Sequence, residues 1–78
     1  MWYFMNKKEV FKKILMKLRK ERGFTQEKLA EKAGINGKYF GRIERGDSSP
    51  TINKVFEICD ALDIKTSEFI EQVENYKK

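Results

Sequence analysis

The sequence predicts one all-α domain of five short helices, and three observations carry the prediction. Apolar residues recur at three- and four-residue spacing in five successive segments, and nowhere do they alternate with period two. Residues suited to helix starts and glycines suited to helix ends bracket most of these segments. The single proline, Pro50, leaves nearly the whole chain free to be helical. At 78 residues the chain is near the lower size at which a core holds without staples.

In the first helix, Val10, Phe11, Ile14, Leu15 and Leu18 make the apolar stripe, and Gly23 ends it after the basic turn "LRKER". Thr25 stands where an N-cap belongs for a second helix, Gln26 to Ala33, with Leu29, Ala30 and Ala33 turned inward and Gly34 closing it. Asn36 caps the third helix and Gly46 closes it, while Ile35 and Phe40 have hydrophobic-staple spacing. After the polar "GDSSP" turn, Thr51 caps a fourth helix whose expected buried side is Ile52, Val55, Phe56, Cys59 and Leu62. Phe69, Ile70 and Val73 mark the fifth. Residues 1–8 read as an apolar and basic arm, 9–73 as the domain, and 74–78 as a charged tail.

Composition excludes several kinds of chemistry. A lone Cys59 cannot close an intrachain disulfide, and a chain without histidine lacks the usual zinc ligands and the usual base of a catalytic triad. No cofactor, metal or small-molecule ligand is expected, and an enzyme is a poor reading. Cys59 reads as a small buried hydrophobe. The opening "MWYFM" is too short for a membrane span and precedes its charges, the wrong order for a signal peptide, so a cytoplasmic protein is expected.

The net charge of +5 is unevenly spread. Residues 1–46 hold thirteen lysines and arginines against five glutamates, a balance of +8, and residues 47–78 balance to −3. A basic front and an acidic back point to one half that faces a polyanion.

The stretch "GINGKYFGRIERG", residues 34–46, raises a specific question. Gly37 and Gly41 each weaken a helix by about 1 kcal/mol relative to alanine, yet they share this short helix with Lys38, Arg42 and Arg45. Staggering at three and four residues puts the three cations on one stripe and turns Phe40 and Ile43 to the core. Two short helices joined by "AGIN" have the spacing of a helix-turn-helix.

From Lys17 to Phe69 the chain resembles the Cro/repressor-type, or Xre, helix-turn-helix family with the lambda-repressor-like fold. "TQEKLAEKAG", "RIERG", the proline-threonine start of the fourth helix and "ALDI" carry the likeness in that order. The resemblance implies a DNA-binding transcriptional regulator whose third helix, residues 36–45, lies in the major groove while the second braces it across the phosphates. Carried over to matching positions, Asn36, Gly37, Lys38 and Arg42 face base edges. Thr25, Tyr39 and Arg45 hold the sugar–phosphate strand, and Gln26 contacts a base or a phosphate. Arg19 and Glu44 match a pair that bridges the first helix to the end of the third in some members. "KYFGRIERG" is similar to the controller proteins of restriction–modification systems, although Gly37 lacks the basic residue often found there.

Side-chain chemistry supports these roles separately. A guanidinium at Arg42 suits bidentate contact with guanine, and Lys38 suits either a base or a phosphate. Gly37 and Gly41 remove bulk from the DNA-facing side and so favour close approach of the helix to the groove; at Gly41, where the family usually has a small residue, close approach to a neighbour explains the glycine equally well. A homodimer on an inverted-repeat operator is the expected form, with half-sites about 34 Å apart. Phe69, Ile70 and Val73 are either its interface or the closure of the monomer core. The alternative function is an antitoxin or anti-regulator that uses this fold chiefly to grip a protein partner through apolar residues near its termini.

Overall fold

Asn6 sets the start of the first helix in the computed structural model, which describes residues 6–76: its side-chain oxygen accepts from the Glu9 N–H at 2.9 Å. Helix α1 runs Lys7–Glu21, α2 Gln26–Ala33, α3 Gly37–Arg45, α4 Ile52–Ala61 and α5 Thr66–Glu74. No strand occurs among the described residues, and the architecture is the expected all-α five-helix domain. The cap at Asn6 draws Lys7 and Lys8 into α1, two residues ahead of the domain boundary read from the sequence. The apolar part of the arm, residues 1–5, lies outside the described residues.

Short-range chemistry explains most helix boundaries. Thr25 and Thr51 accept from the N–H three residues on, Lys28 at 3.1 Å and Lys54 at 3.2 Å, each satisfying a donor that the first turn of a helix leaves without a partner. Helix α5 starts after Lys65 with no side-chain cap, and packing holds it instead. Its Phe69 and Val73 are buried, and the Phe69 ring meets Phe11 of α1 edge-on at 5.1 Å between centroids. An ion pair between Lys7 and Glu74 ties the start of α1 to the end of α5.

The core is one cluster built from all five helices, centred on Leu15, Leu29, Phe40, Ile43, Ile58, Leu62 and Phe69. One expectation about its membership needs correcting, and one left open is narrowed. On α4 the buried side is Val55, Ile58, Cys59 and Leu62, whereas Ile52 is 60% exposed and Phe56 45%. The sequence offers this helix two overlapping apolar stripes that share Val55, Cys59 and Leu62. Packing against both α2 and α5 selects the one that contains Ile58, a rotation of roughly 45° about the helix axis at 3.6 residues per turn. On α5, Phe69 and Val73 are spent in the monomer's own core, so only Ile70, 38% exposed, remains for a partner.

Cys59 is a free, buried thiol. Burial pushes its pKa above the ordinary thiol value, Asp60 adds to the rise, and a hydrogen bond with Thr66 opposes it. The thiol is therefore held neutral and packs as an apolar group. Among the described residues no helix is long and apolar enough to cross a membrane, and no cluster of acidic residues or cysteine is arranged to hold a metal ion.

Candidate nucleic-acid interface

The turn between α2 and α3 decides how the two helices cross. Gly34 closes α2 in the left-handed region, φ 73°, a conformation that costs a side-chain-bearing residue about 1–2 kcal/mol. Its reversal brings the Ile35 N–H back to the Ala30 carbonyl at 2.9 Å and drops the Ile35 side chain into the core cluster that also holds Phe40. Asn36 then opens α3 with one side-chain oxygen that accepts from both Lys38 N–H at 2.9 Å and Tyr39 N–H at 3.1 Å.

Helix α3 has two unlike faces. Phe40, Gly41, Ile43 and Glu44 are buried, while Gly37, Lys38, Arg42 and Arg45 are exposed. Gln26, Asn36, Gly37, Lys38, Arg42 and Arg45 line one shallow concavity, joined there by Glu27 and Gly41. The protein surface thus brings six of the eight expected DNA-binding residues together. Tyr39 is half-buried beside them, with the Arg42 guanidinium 5.7 Å from the centre of its ring. Thr25 stands at the edge with its hydroxyl oxygen engaged in capping α2.

The cations of this face are held lightly. Arg42 donates from Nε to Ser48 Oγ at 3.4 Å, and Arg45 Nε lies 3.3 Å from Asp47 Oδ2, both in exposed surroundings. Exposed contacts of this kind are worth under about 1 kcal/mol and give way readily to a better anion.

Beneath the exposed stripe lies a buried polar network. The Glu44 side chain has 0% exposure and Arg19 only 11%. Arg19 grips the carboxylate twice, Nε to Oε2 at 2.7 Å and Nη2 to Oε1 at 3.0 Å, and its Nη1 donates to the Phe24 carbonyl at 2.8 Å. Gln26 donates from Nε2 to Glu44 Oε1 at 2.7 Å. One carboxylate therefore joins α1, the α1–α2 loop, the start of α2 and the end of α3.

The two glycines within α3 have different surroundings. Nothing in the protein lies within 4 Å of where a Cβ at Gly37 would stand, so the domain itself does not require that glycine. A Cβ on Gly41 would meet Arg45 Nη1 at 3.2 Å and Gln26 Oε1 at 3.6 Å. Gly41 is the floor over which side chains from α2 and α3 converge.

Sequence reasoning missed three participants. Glu27 lines the concavity as an acidic neighbour of Gln26, a position it takes simply as the next residue of the α2 first turn. Lys12 donates to the Arg45 carbonyl at 3.4 Å and lays its stem across Gly46, placing a cation at the C-terminal end of α3 where the helix dipole favours one. The Gln26–Glu44 bond is the third. It depends on how α2 and α3 cross, which no local pattern encodes.

A short helix, a tight glycine turn and a second helix with one buried and one cationic face together define a helix-turn-helix domain. Residues 15–69 match the helix-turn-helix family HTH_3, and the chain belongs to that family of transcriptional regulators. The HTH-type transcriptional regulator SutR of Escherichia coli strain K12 is 39% identical over 56 residues, which is 72% of this chain and 32% of that protein. The chain thus spans about a third of the length of SutR. YqaF of Bacillus subtilis strain 168, an uncharacterized HTH-type transcriptional regulator, is 36% identical over 69 residues, covering 88% of this chain and 91% of that one. Among solved structures, the restriction-modification controller protein C.AhdI from Aeromonas hydrophila superposes with a TM-score of 0.74 at 33% identity, covering 77% of this chain and 91% of that one.

Proposed function

We propose that the protein is a sequence-specific regulator of transcription that binds double-stranded DNA as a homodimer in the cytoplasm, on an inverted repeat, with α3 in the major groove. The observation that carries this reading is the unlike pair of faces on α3. Phe40 and Ile43 anchor it, while Lys38, Arg42 and Arg45 stand exposed around a concavity that also takes in Gln26 and Asn36. Arg42, Lys38, Asn36 and the bare backbone at Gly37 face base edges. Thr25, Tyr39 and Arg45 hold the sugar–phosphate strand, and the first-turn N–H groups of α2 that the Thr25 cap does not reach favour a phosphate beside them.

Several exposed apolar side chains support dimerisation, namely Ile52 and Phe56 on α4 and Ile70 on α5. They sit in the acidic back half of the sequence, which DNA repels, and none of them lines the cationic concavity. The same side chains also suit a different protein partner, as an antitoxin or anti-regulator requires.

Selection of bound duplexes from a random library near physiological salt, with Arg42→Ala in parallel, tests the reading. An enriched inverted repeat that the variant relaxes is the expected result. Enrichment of no sequence overturns it and leaves the protein-binding reading, which predicts that substituting Lys38 and Arg42 together leaves partner capture intact.

A further inference from the structure

The amide of Gln26 has a definite polarity, and it comes from a residue on the far side of the interface. Glu44 is a carboxylate that accepts from Arg19 at both oxygens, so it has nothing to offer Gln26 except an acceptor. Gln26 must turn its Nε2 inward to Glu44 Oε1, at 2.7 Å, and its Oε1 consequently faces the open side. There it lies over Gly41, 3.6 Å from where a Cβ would be, in the concavity shared with Lys38, Arg42 and Arg45. Gly37, on the first turn of α3, brings no side chain that competes for the amide.

We infer that Glu44 is a positioning residue for DNA specificity: by holding Gln26 Nε2 it fixes Gln26 Oε1 outward as a hydrogen-bond acceptor, which reads the exocyclic amine of an adenine or cytosine in the major groove. The inference rests on the proposal that α2 and α3 face DNA. An outward amide oxygen is repelled by the oxygens of a phosphate, and equally by guanine O6 and thymine O4. Adenine N6 and cytosine N4 are the donors that the major groove presents. A freely rotating glutamine turns to suit either partner; one locked by a buried carboxylate does not. Gln26 thereby complements Arg42, whose guanidinium seeks the acceptors of guanine.

The test uses the full chain and duplexes built on its selected site. At each adenine or cytosine in turn, purine or 2-pyrimidinone replaces the base and removes the exocyclic amine. In the parent, one such position per half-site is expected to lose about tenfold in affinity, and the same duplex is expected to cost Gln26→Met less than about twofold. Glu44→Gln is the second arm, because the replacement amide can donate to Gln26 and turn it round. Preference at that one base pair is then expected to fall about tenfold or pass to guanine or thymine, while preference at the pairs read by Arg42 is kept.

A merely structural Glu44 lowers affinity for all duplexes alike and leaves every base preference in place, which overturns the inference. So does a Gln26→Met variant that weakens all duplexes equally and reduces the salt dependence, the signature of a phosphate contact. If Glu44→Gln fails to fold, by circular dichroism at the assay temperature, the amine-deletion series with Gln26→Met decides alone. A parent that prefers no duplex removes the proposed function and this inference together; a parent with clear preferences that ignore Gln26 removes only the inference.

Discussion

Replacing Arg19 with methionine removes the cation from a carboxylate that has no access to water, and the cost follows from the network around it. Three hydrogen bonds disappear: two to Glu44, at 2.7 and 3.0 Å, and one to the Phe24 carbonyl at 2.8 Å. What remains is a Glu44 side chain with 0% exposure and one protein donor, the Gln26 amide. Breaking a buried ion pair on one side costs about 3–5 kcal/mol, because the surviving charge stays desolvated. A domain of this size has roughly 4–12 kcal/mol of stability in all. Arg19→Met is therefore expected to lower the melting temperature by roughly 12–40 °C, at about 4–8 °C per kcal/mol. Urea denaturation followed by far-ultraviolet circular dichroism measures the loss directly, and the double variant Arg19→Met, Glu44→Leu identifies its cause. With both charges gone, stability is expected to return to within about 2 kcal/mol of the parent, since an apolar replacement of a buried pair is often close to neutral. A single-variant cost below about 1 kcal/mol, the range of exposed pairs, refutes the assignment of a desolvated pair. A double variant as unstable as the single one shows instead that the packing of the arginine stem dominates.

The caps and the glycines give further tests. Thr25→Ala is expected to cost about 1 kcal/mol in urea denaturation through loss of the α2 cap. Gly34→Ala is expected to cost about 1–2 kcal/mol, as its φ of 73° is strained for alanine. Gly37→Ala has open space around it and is expected to stabilise the free protein by about 0.5–1 kcal/mol; unchanged affinity for the selected DNA site would show that no close backbone approach occurs there. Cys59 is expected to resist a thiol reagent at neutral pH until the protein is unfolded. Its raised folded-state pKa makes a contribution to stability that is complete below the ordinary thiol pKa of 9.0 and is lost as pH rises beyond it. Denaturation between pH 8 and 10 should accordingly show a decline that Cys59→Val reduces.

Local features were legible in the sequence because their chemistry is local. Thr25, Asn36 and Thr51 cap the helices that follow them, and Gly34 and Gly46 take positive φ at the ends of α2 and α3. Each of these assignments needs only the residues within one turn. The outward stripe of Lys38, Arg42 and Arg45 was legible for the same reason, since Phe40 and Ile43 fix the opposite face. The α4 face was not, because two apolar stripes share Val55, Cys59 and Leu62, and only the positions of α2 and α5 choose between them. Ile70 separates from Phe69 and Val73 in the same way: all three are apolar, and the site of packing on α1 decides which two are covered.

Gly41 shows how the local and the tertiary levels meet. By propensity alone it weakens α3 by about 1 kcal/mol, and a nine-residue helix is marginal in isolation whatever its composition. Within the domain, α3 is held by the burial of Phe40 and Ile43 and by the grip of Arg19 on Glu44, so the propensity of position 41 matters little to whether the helix exists. What the missing side chain provides is room for Gln26 Oε1 and Arg45 Nη1 to approach over the helix surface. Since the guanidinium of Arg45 is the flexible end of its side chain, Gly41→Ala should be close to neutral for stability and should act instead on the placement of Arg45 and Gln26. Wild-type stability with weakened or altered DNA preference is the combination expected of that variant. Unfolding of the variant would mean that the glycine serves the fold after all.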